Sequence, residues 1–472
     1  MNKWLFVLLI PVLFSCTTAD HKTTVPEGVT TLHKANPKKL RPYSEHTLSN
    51  GLRVLLIKDD SLPLIGFHML VKSGYTRDQA GAWGTSQMVA ALLEKGTQKR
   101  NATQIADDLA QIGADFSAAA DADMTYLSAT GLSLHREKVL ENFVEIITKP
   151  SFQDVEIERL RKQILARQTQ AVDNASQFAS QAFQEYLYGA HPYGRQPMGK
   201  KQDVAKIKKA QIIRFYLENV RPNNSILAVV GDYPDQILIQ LENALKAWRS
   251  RRVKTLEYGK ADPIQGVKFR LVHKADLNQA QIRMGHEGIS RANEDFLTLR
   301  LANIILGQGF SSRLVDQVRD NLGLTYHISS DLEAMLNTGG FEISTFTRND
   351  KASEAINEIL KVYKKFVSEG VTSAEVENAK GFLQGGFGRA LETAERLAYN
   401  LLLLRSYGIS DSYLTDFEDN VDRISAADVN RVIKTYFRPE HMKVLVFSNQ
   451  SLVRPLLKQW EPIEVKSPSD LL

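Results

Sequence analysis

Ten histidines and one cysteine are the side chains of this 472-residue chain best suited to hold a metal ion. Two imidazoles four residues apart on a helix would face one side and could share a zinc ion. No two histidines have that spacing. Cys16 stands alone, so neither an intrachain disulfide nor a cysteine-based zinc site can form. His191, within His191-Pro-Tyr-Gly-Arg195, reads as a structural loop residue. A glycine-rich dinucleotide fingerprint and a phosphate-binding loop are both missing. Metal-free chemistry, pure binding, or a metal site assembled by folding from distant histidines is what these residue types leave open.

The elements that would position any site belong to an ordinary folded protein. The chain is 43% hydrophobic, 24% charged and 8% aromatic, which excludes extensive disorder and collagen-like structure. Its length suits about three domains, or two large ones. A net charge of +5, from 59 Lys and Arg against 54 Asp and Glu, is spread along the chain and makes no case for nucleic acid.

The first residues read as an address. Lys3 precedes an apolar run from Trp4 to Phe14, too short to span a bilayer and right for a signal segment. The run ends Leu13-Phe-Ser-Cys16, which resembles the bacterial lipoprotein box, in which the cysteine carries the lipid. Thr17 and Thr18 stand where an inner-membrane retention signal would carry Asp, so the expected home is the periplasmic face of the outer membrane. Acyl chains would then anchor the protein without a spanning helix.

An internal repeat organises the body. Ile207-Lys-Lys-Ala210, Arg214, Arg221-Pro222 and Ile226-Leu-Ala-Val-Val230 recur 217 residues later as Ile424-Ser-Ala-Ala427, Arg431, Arg438-Pro439 and Lys443-Val-Leu-Val-Phe447. Each copy predicts a helix, a proline stop and a buried strand. Glu156-x-Glu158 and Glu375-x-Glu377 open comparable helices upstream. Such a long period means two homologous halves. The expected class is α+β: two homologous α/β-sandwich domains. Residues 1–16 are assigned to the signal segment, 17–45 to a tether, 46–250 to the N-terminal domain, 251–266 to a linker and 267–465 to the C-terminal domain. Strands are predicted over 51–57, 65–71 and 124–134, and one long helical stretch over 155–187. Leu401 to Leu404 reads as a core stripe.

Several stretches, in order, carry a resemblance to a known family. They are Gly51-Leu-Arg-Val-Leu55, Val71-Lys-Ser-Gly74, Leu92-Leu-Glu-Lys-Gly-Thr97, His191-Pro-Tyr-Gly-Arg195, Arg221-Pro-Asn-Asn224, Leu306-Gly-Gln-Gly-Phe-Ser-Ser-Arg-Leu314 and Arg319-Asp-Asn-Leu-Gly-Leu-Thr-Tyr326. Together they resemble the insulinase/pitrilysin-type zinc peptidases, in the short bacterial form similar to mitochondrial processing peptidase subunits. The resemblance spans residues 46–450. It implies a zinc ion held by two His and a Glu, the first two from His-x-x-Glu-His on one helix, whose inner Glu activates water. Counting back from Thr97, those helix positions hold Gln87, Ala90 and Ala91. The later Glu falls at Arg167 or its neighbour Gln168. A guanidinium cannot ligate a metal. By this reading every zinc role is empty in this chain.

The second half keeps what the first has lost. Arg319 and Tyr326 match an Arg/Tyr pair that, in the family, contacts substrate and helps polarise the scissile carbonyl; both are donors able to stabilise an oxyanion. The plainer reading pairs Arg319 with a nearby Asp and packs Tyr326 in a sheet. Gly307 and Gly309 resemble the glycine-containing loop that touches substrate in processing-peptidase alpha subunits. By this resemblance, the chain is expected to be one half of a clam shell, inactive alone and binding no cofactor. It would contribute Arg319 and Tyr326 to a zinc-bearing paralogous partner that closes with it around an extended peptide. The other expectation is a stand-alone peptide- or protein-binding pseudopeptidase scaffold at the outer membrane.

Overall fold

The computed structural model describes residues 30–35, 40–259 and 263–471. The lipidation candidate Cys16 and the apolar run before it lie outside the described residues.

Strands β1 (Thr30–Ala35), β2 (Tyr43–Thr47), β3 (Arg53–Lys58), β4 (Leu64–Val71), β5 (Asp115–Ala120), β6 (Thr125–Leu132) and β7 (Ser225–Gly231) build one sheet, in the order β1-β2-β3-β7-β4-β6-β5. Strands β8 (Val267–His273), β9 (Gln279–Glu287), β10 (Ile328–Ala334), β11 (Gly339–Arg348), β12 (Met442–Ser448) and β13 (Ile463–Lys466) build the other, in the order β10-β11-β9-β12-β8-β13. Read from β3 and from β8, the two sheets share a five-strand core of the same order. In each core the first pair is parallel and the next antiparallel. This is the duplication in three dimensions: β7 and β12 are the two copies of the apolar run that follows Arg-Pro.

Those two central strands are apolar nearly throughout because both their faces are covered. On β7, Leu227 and Val229 join the core of their own half, whereas Ile226, Ala228 and Val230 face the other way. The second face is covered by a helix from the other half. Leu397, Ala398, Leu401 and Leu402 of the helix Ala394–Tyr407 pack on it. On β12, Val444 and Val446 face their own core, and Leu445 and Phe447 meet Phe178, Ala179, Ala182 and Phe183 of the helix Ala175–Tyr188. The exchange is symmetric, since both ends of the second helix lie 219 residues beyond those of the first, 175 to 394 and 188 to 407.

The strands of the two sheets fall on either side of the division at 250 and 267, and each sheet is completed by a helix from across that boundary. The helical stretch expected over 155–187 is broken for the same purpose. It splits into Asp154–Gln170 and Ala175–Tyr188, where Asn174 accepts from the Gln177 N–H at 3.1 Å and starts the exchanged helix. The tether of 17–45 is also shorter than expected, since 30–35 and 43–45 are strand. The linker carries no regular structure over 251–259 but is pinned: Arg77 donates to the Lys254 carbonyl at 2.7 Å, and Tyr258 to Asp123 at 2.6 Å. Past 465, the Leu471 carbonyl accepts from Gln196, so the tail stays on the fold. Leu401, Leu402 and Leu404 are buried. No described helix is long and apolar enough to cross a membrane.

Candidate functional site

The short helix Thr85–Leu92 carries the three positions where the family motif would stand. Its entry is built tightly. Gly84 is left-handed (φ +99°), and a Cβ there would lie 2.6 Å from the Met198 carbonyl oxygen. Buried Asp78 caps the start, accepting from the N–H groups of Gly84 at 2.7 Å and Ser86 at 2.9 Å. Burial nevertheless pushes its pKa up to about 7.

Along this helix Gln87 is half-buried, its amide donating to the carbonyl of Ala120 at the end of β5. Ala90 is buried and Ala91 half-buried. The later position needs a correction. Arg167 points outward on the helix Asp154–Gln170, and the buried side chain is Gln168. Gln168 donates to the Gly199 carbonyl at 2.7 Å, and Gly199 in turn packs against the backbone of Trp83 and Gly84 at the entry of the helix Thr85–Leu92. Its amide oxygen is buried without a partner. One amide oxygen, a second amide turned to a carbonyl and two methyl groups do not fit a zinc ion, which needs three N, O or S ligands and a water. Among the described residues, no group of three or more His, Cys, Asp or Glu could hold a metal ion.

In the second half the four singled-out residues separate. Arg319 is half-exposed on a wide helical turn, Val315–Asn321, and its Nε donates to the adjacent Asp320 at 2.7 Å. Tyr326, just before β10, is 89% exposed, which overturns the alternative that packs it in the sheet. It stands free because its neighbour Thr325 is the anchored residue, donating to the Phe346 carbonyl at 2.6 Å. Gly307 is corrected to a packing residue. It is buried, and a Cβ there would lie 2.5 Å from Ser330 Oγ and 2.8 Å from its backbone N on β10. Gly309 is open, and it leads into Phe310, which is 86% exposed.

The two halves meet around Asp123. Its carboxylate accepts from Tyr193 at 2.9 Å, from Tyr258 of the linker at 2.6 Å and from the Leu336 N–H at 3.0 Å. His191 sits beside this knot with its ring 3.3 Å from Asn337 Oδ1. Next to the knot is a cleft of about 470 Å³, with the exchanged helix Ala175–Tyr188 on one side and β10 and β11 on the other. Asp331, Glu333 and Glu342 line it. Burial pushes the Glu342 pKa up to about 7 against the pull of Arg283, whose Nε lies 3.2 Å away. Partial burial, with Asp121 and Asp123 nearby, also holds the Glu333 carboxyl above its usual range. Sequence reasoning missed this cleft. Its one local signal is Asp331-x-Glu333, two acids at strand spacing on one face.

Comparison with known proteins agrees with this architecture. The insulinase (peptidase family M16) model matches residues 53–201, and the model described as the peptidase M16 inactive domain matches residues 206–383. A Rickettsia bellii protein named an uncharacterized zinc protease is 25% identical over 86% of this chain and 98% of its own length. A Helicobacter pylori protein named a non-peptidase homolog is 23% identical over 86% of this chain and 94% of its own. The crystal structure of a peptidase M16 inactive domain from Pseudomonas fluorescens has the same fold, with a TM-score of 0.80 at 24% identity, covering 86% of this chain and 98% of that one. With two models of one family covering most of both halves, and with the duplicated sheets behind them, this chain belongs to the insulinase (M16) peptidase family.

Proposed function

We propose that this protein is the non-catalytic, substrate-binding half of a heterodimeric zinc endopeptidase of the bacterial periplasm. One observation carries the reading: Tyr326 and Phe310 are the most exposed large hydrophobic side chains among the described residues. Both lie in the segment that holds Arg319, while the helix that should hold zinc offers Gln87, Ala90 and Ala91. Aromatic side chains held in water suit a surface that closes on a partner and a peptide. In the closed state Arg319 and Tyr326 would donate hydrogen bonds to a peptide carbonyl whose cleavage is carried out by a zinc-bearing paralogous subunit. Free sheet edges at β5 and β10 would pair with the extended peptide. Cys16, following its apolar run, would carry the lipid that holds the complex at the outer membrane.

The test is co-purification with a paralogue that keeps His-x-x-Glu-His. Cleavage should need both chains, and Arg319→Ala or Tyr326→Phe should lower turnover while complex and zinc content stay unchanged. Chelator-sensitive cleavage by this chain alone would overturn the reading. Radiolabelled palmitate should enter the protein and be lost in Cys16→Ala.

A second reading, a stand-alone peptide-binding scaffold, is favoured by the acidic cleft, which this chain builds without help. Peptide binding by a chain that recruits no paralogue would select it.

A further inference from the structure

The helices Arg136–Thr148 and Ile237–Leu245 lie side by side on the core face of the first sheet. They follow β6 and β7, whose last residues Leu132 and Gly231 pair with the adjacent Leu64 and Ile65 of β4. Ser133 Oγ donates to Asp232 Oδ2 at 3.0 Å there, so both helices start at one end of the sheet and run the same way. Between them is a groove of about 850 Å³. Leu140 and Val144, one turn apart, line it from the first helix, and Ala244, Ala247 and Trp248 from the second and the turn that follows it.

The end of the groove where the helices finish is cationic. The Gln98 N–H donates to the Lys149 carbonyl at 3.0 Å, which brings Lys99 close to Lys149. Asn223 exchanges hydrogen bonds with the Arg251 backbone at 2.9 and 3.1 Å, which brings Arg221 close to Arg249. Tyr216 ties the two pairs together, because its hydroxyl donates to the Ile147 carbonyl at 2.8 Å. All four cations line the groove. None of them is in an ion pair among the described residues, whereas the groove acids Glu141 and Glu145 are held by Lys138 and Arg100. Glu137 stands on the first turn of its helix, away from the cationic end.

Trp248 is an independent sign of a ligand. It is 6% exposed, and its indole Nε1 has no hydrogen-bond partner. A buried indole N–H normally finds one. An apolar trough that ends in unpaired cations and a spare N–H matches an anionic head on an apolar tail.

We propose that this groove binds a long-chain fatty acid, with its carboxylate among Lys149, Arg221 and Arg249 and its chain along Val144, Leu140 and Ala244. Charge-assisted hydrogen bonds would hold the head, and the Trp248 N–H would add one more donor. The groove has the size of a small-molecule site. None of its lining residues belongs to the emptied zinc helix, the Arg319 segment or the acidic cleft, so the inference is independent of the peptidase reading.

The full chain is tested with 11-(dansylamino)undecanoate, a probe whose emission rises in an apolar site. Laurate should displace it with about tenfold higher affinity than dodecanol, the worth of a charge-assisted hydrogen bond. Octanoate, four methylenes shorter, should bind on the order of a hundredfold more weakly than laurate. Lys149→Gln combined with Arg249→Gln, both at exposed positions, should bring laurate down to the level of dodecanol and leave dodecanol unchanged. Ala247→Glu, also exposed, should weaken laurate and dodecanol alike. Laurate that binds no tighter than dodecanol overturns the inference. So does a preference for laurate that survives the double substitution, because the carboxylate then sits elsewhere. Octanoate equal to laurate, or a probe that does not bind, overturns it as well.

Discussion

Arg405 Nε donates to Glu45 Oε2 at 2.9 Å, joining residues 360 positions apart. Arg405 lies on the exchanged helix Ala394–Tyr407 and Glu45 on β2, where it is 3% exposed. Arg53 holds the other oxygen of Glu45, and Arg405 also holds Asp411. The exchange of helices is thus locked by a buried charge network as well as by leucines. Removing Arg405 takes one of the two ion-pair partners from the buried Glu45 carboxylate. Arg405→Ala should lower stability by about 3 kcal/mol, read as a shift of the urea midpoint, whereas a shift within error would mean the network is idle.

The exchanged helices should report on the half they cover. Leu401→Ala should cost about 2–5 kcal/mol and speed amide hydrogen exchange in β7, in the other half of the chain. Phe178→Ala should do the same to β12, where its ring meets Phe447 at 4.8 Å. Exchange that quickens only within the mutated half would contradict the packing.

The correction from Arg167 to Gln168 can be checked by rebuilding the missing site. Gln87→His, Ala90→Glu and Ala91→His combined with Gln168→Glu should gain zinc at about one ion per chain. The same three changes combined with Arg167→Glu should not, because Arg167 faces solvent. Metal content after gel filtration decides between them.

His286 gives the fold an acid limit. It is buried beside Tyr363 Oη at 2.7 Å, and burial lowers its pKa to about 4. Between about 6.5 and 4 the unfolded chain binds a proton that the folded chain refuses. Its contribution is therefore intact above pH 6.5 and is lost as pH falls toward 4, at about 1.4 kcal/mol per pH unit. His286→Gln should flatten that slope in urea unfolding at graded pH; an unchanged slope would assign acid sensitivity to other groups.

Much of the architecture was legible because it is written in short-range patterns. The Arg-Pro stops and the runs at 226–230 and 443–447 act within a few residues, so the duplication and its two central strands could be read directly. The loss of the zinc motif was legible too, because residues 87, 90 and 91 stand at fixed distances from Thr97. The Arg167 and Gln168 ambiguity shows where spacing stops helping. One residue along a helix is a turn of about 100°, and only packing against Gly199 says which of the two faces inward.

Tertiary folding settled the rest. The apolar face of Phe178, Ala182 and Phe183 has the same period whichever sheet it covers, so nothing local could announce that it crosses to the other half. The acidic cleft unites Tyr188 with Asp331, Glu333 and Glu342, residues well over a hundred positions apart whose meeting depends on that crossing. Side-chain type and periodicity act along the chain and define the elements. Which surfaces then share a cleft, and whether Tyr326 is buried or left in water, depends on free energies of packing between segments that no local pattern encodes.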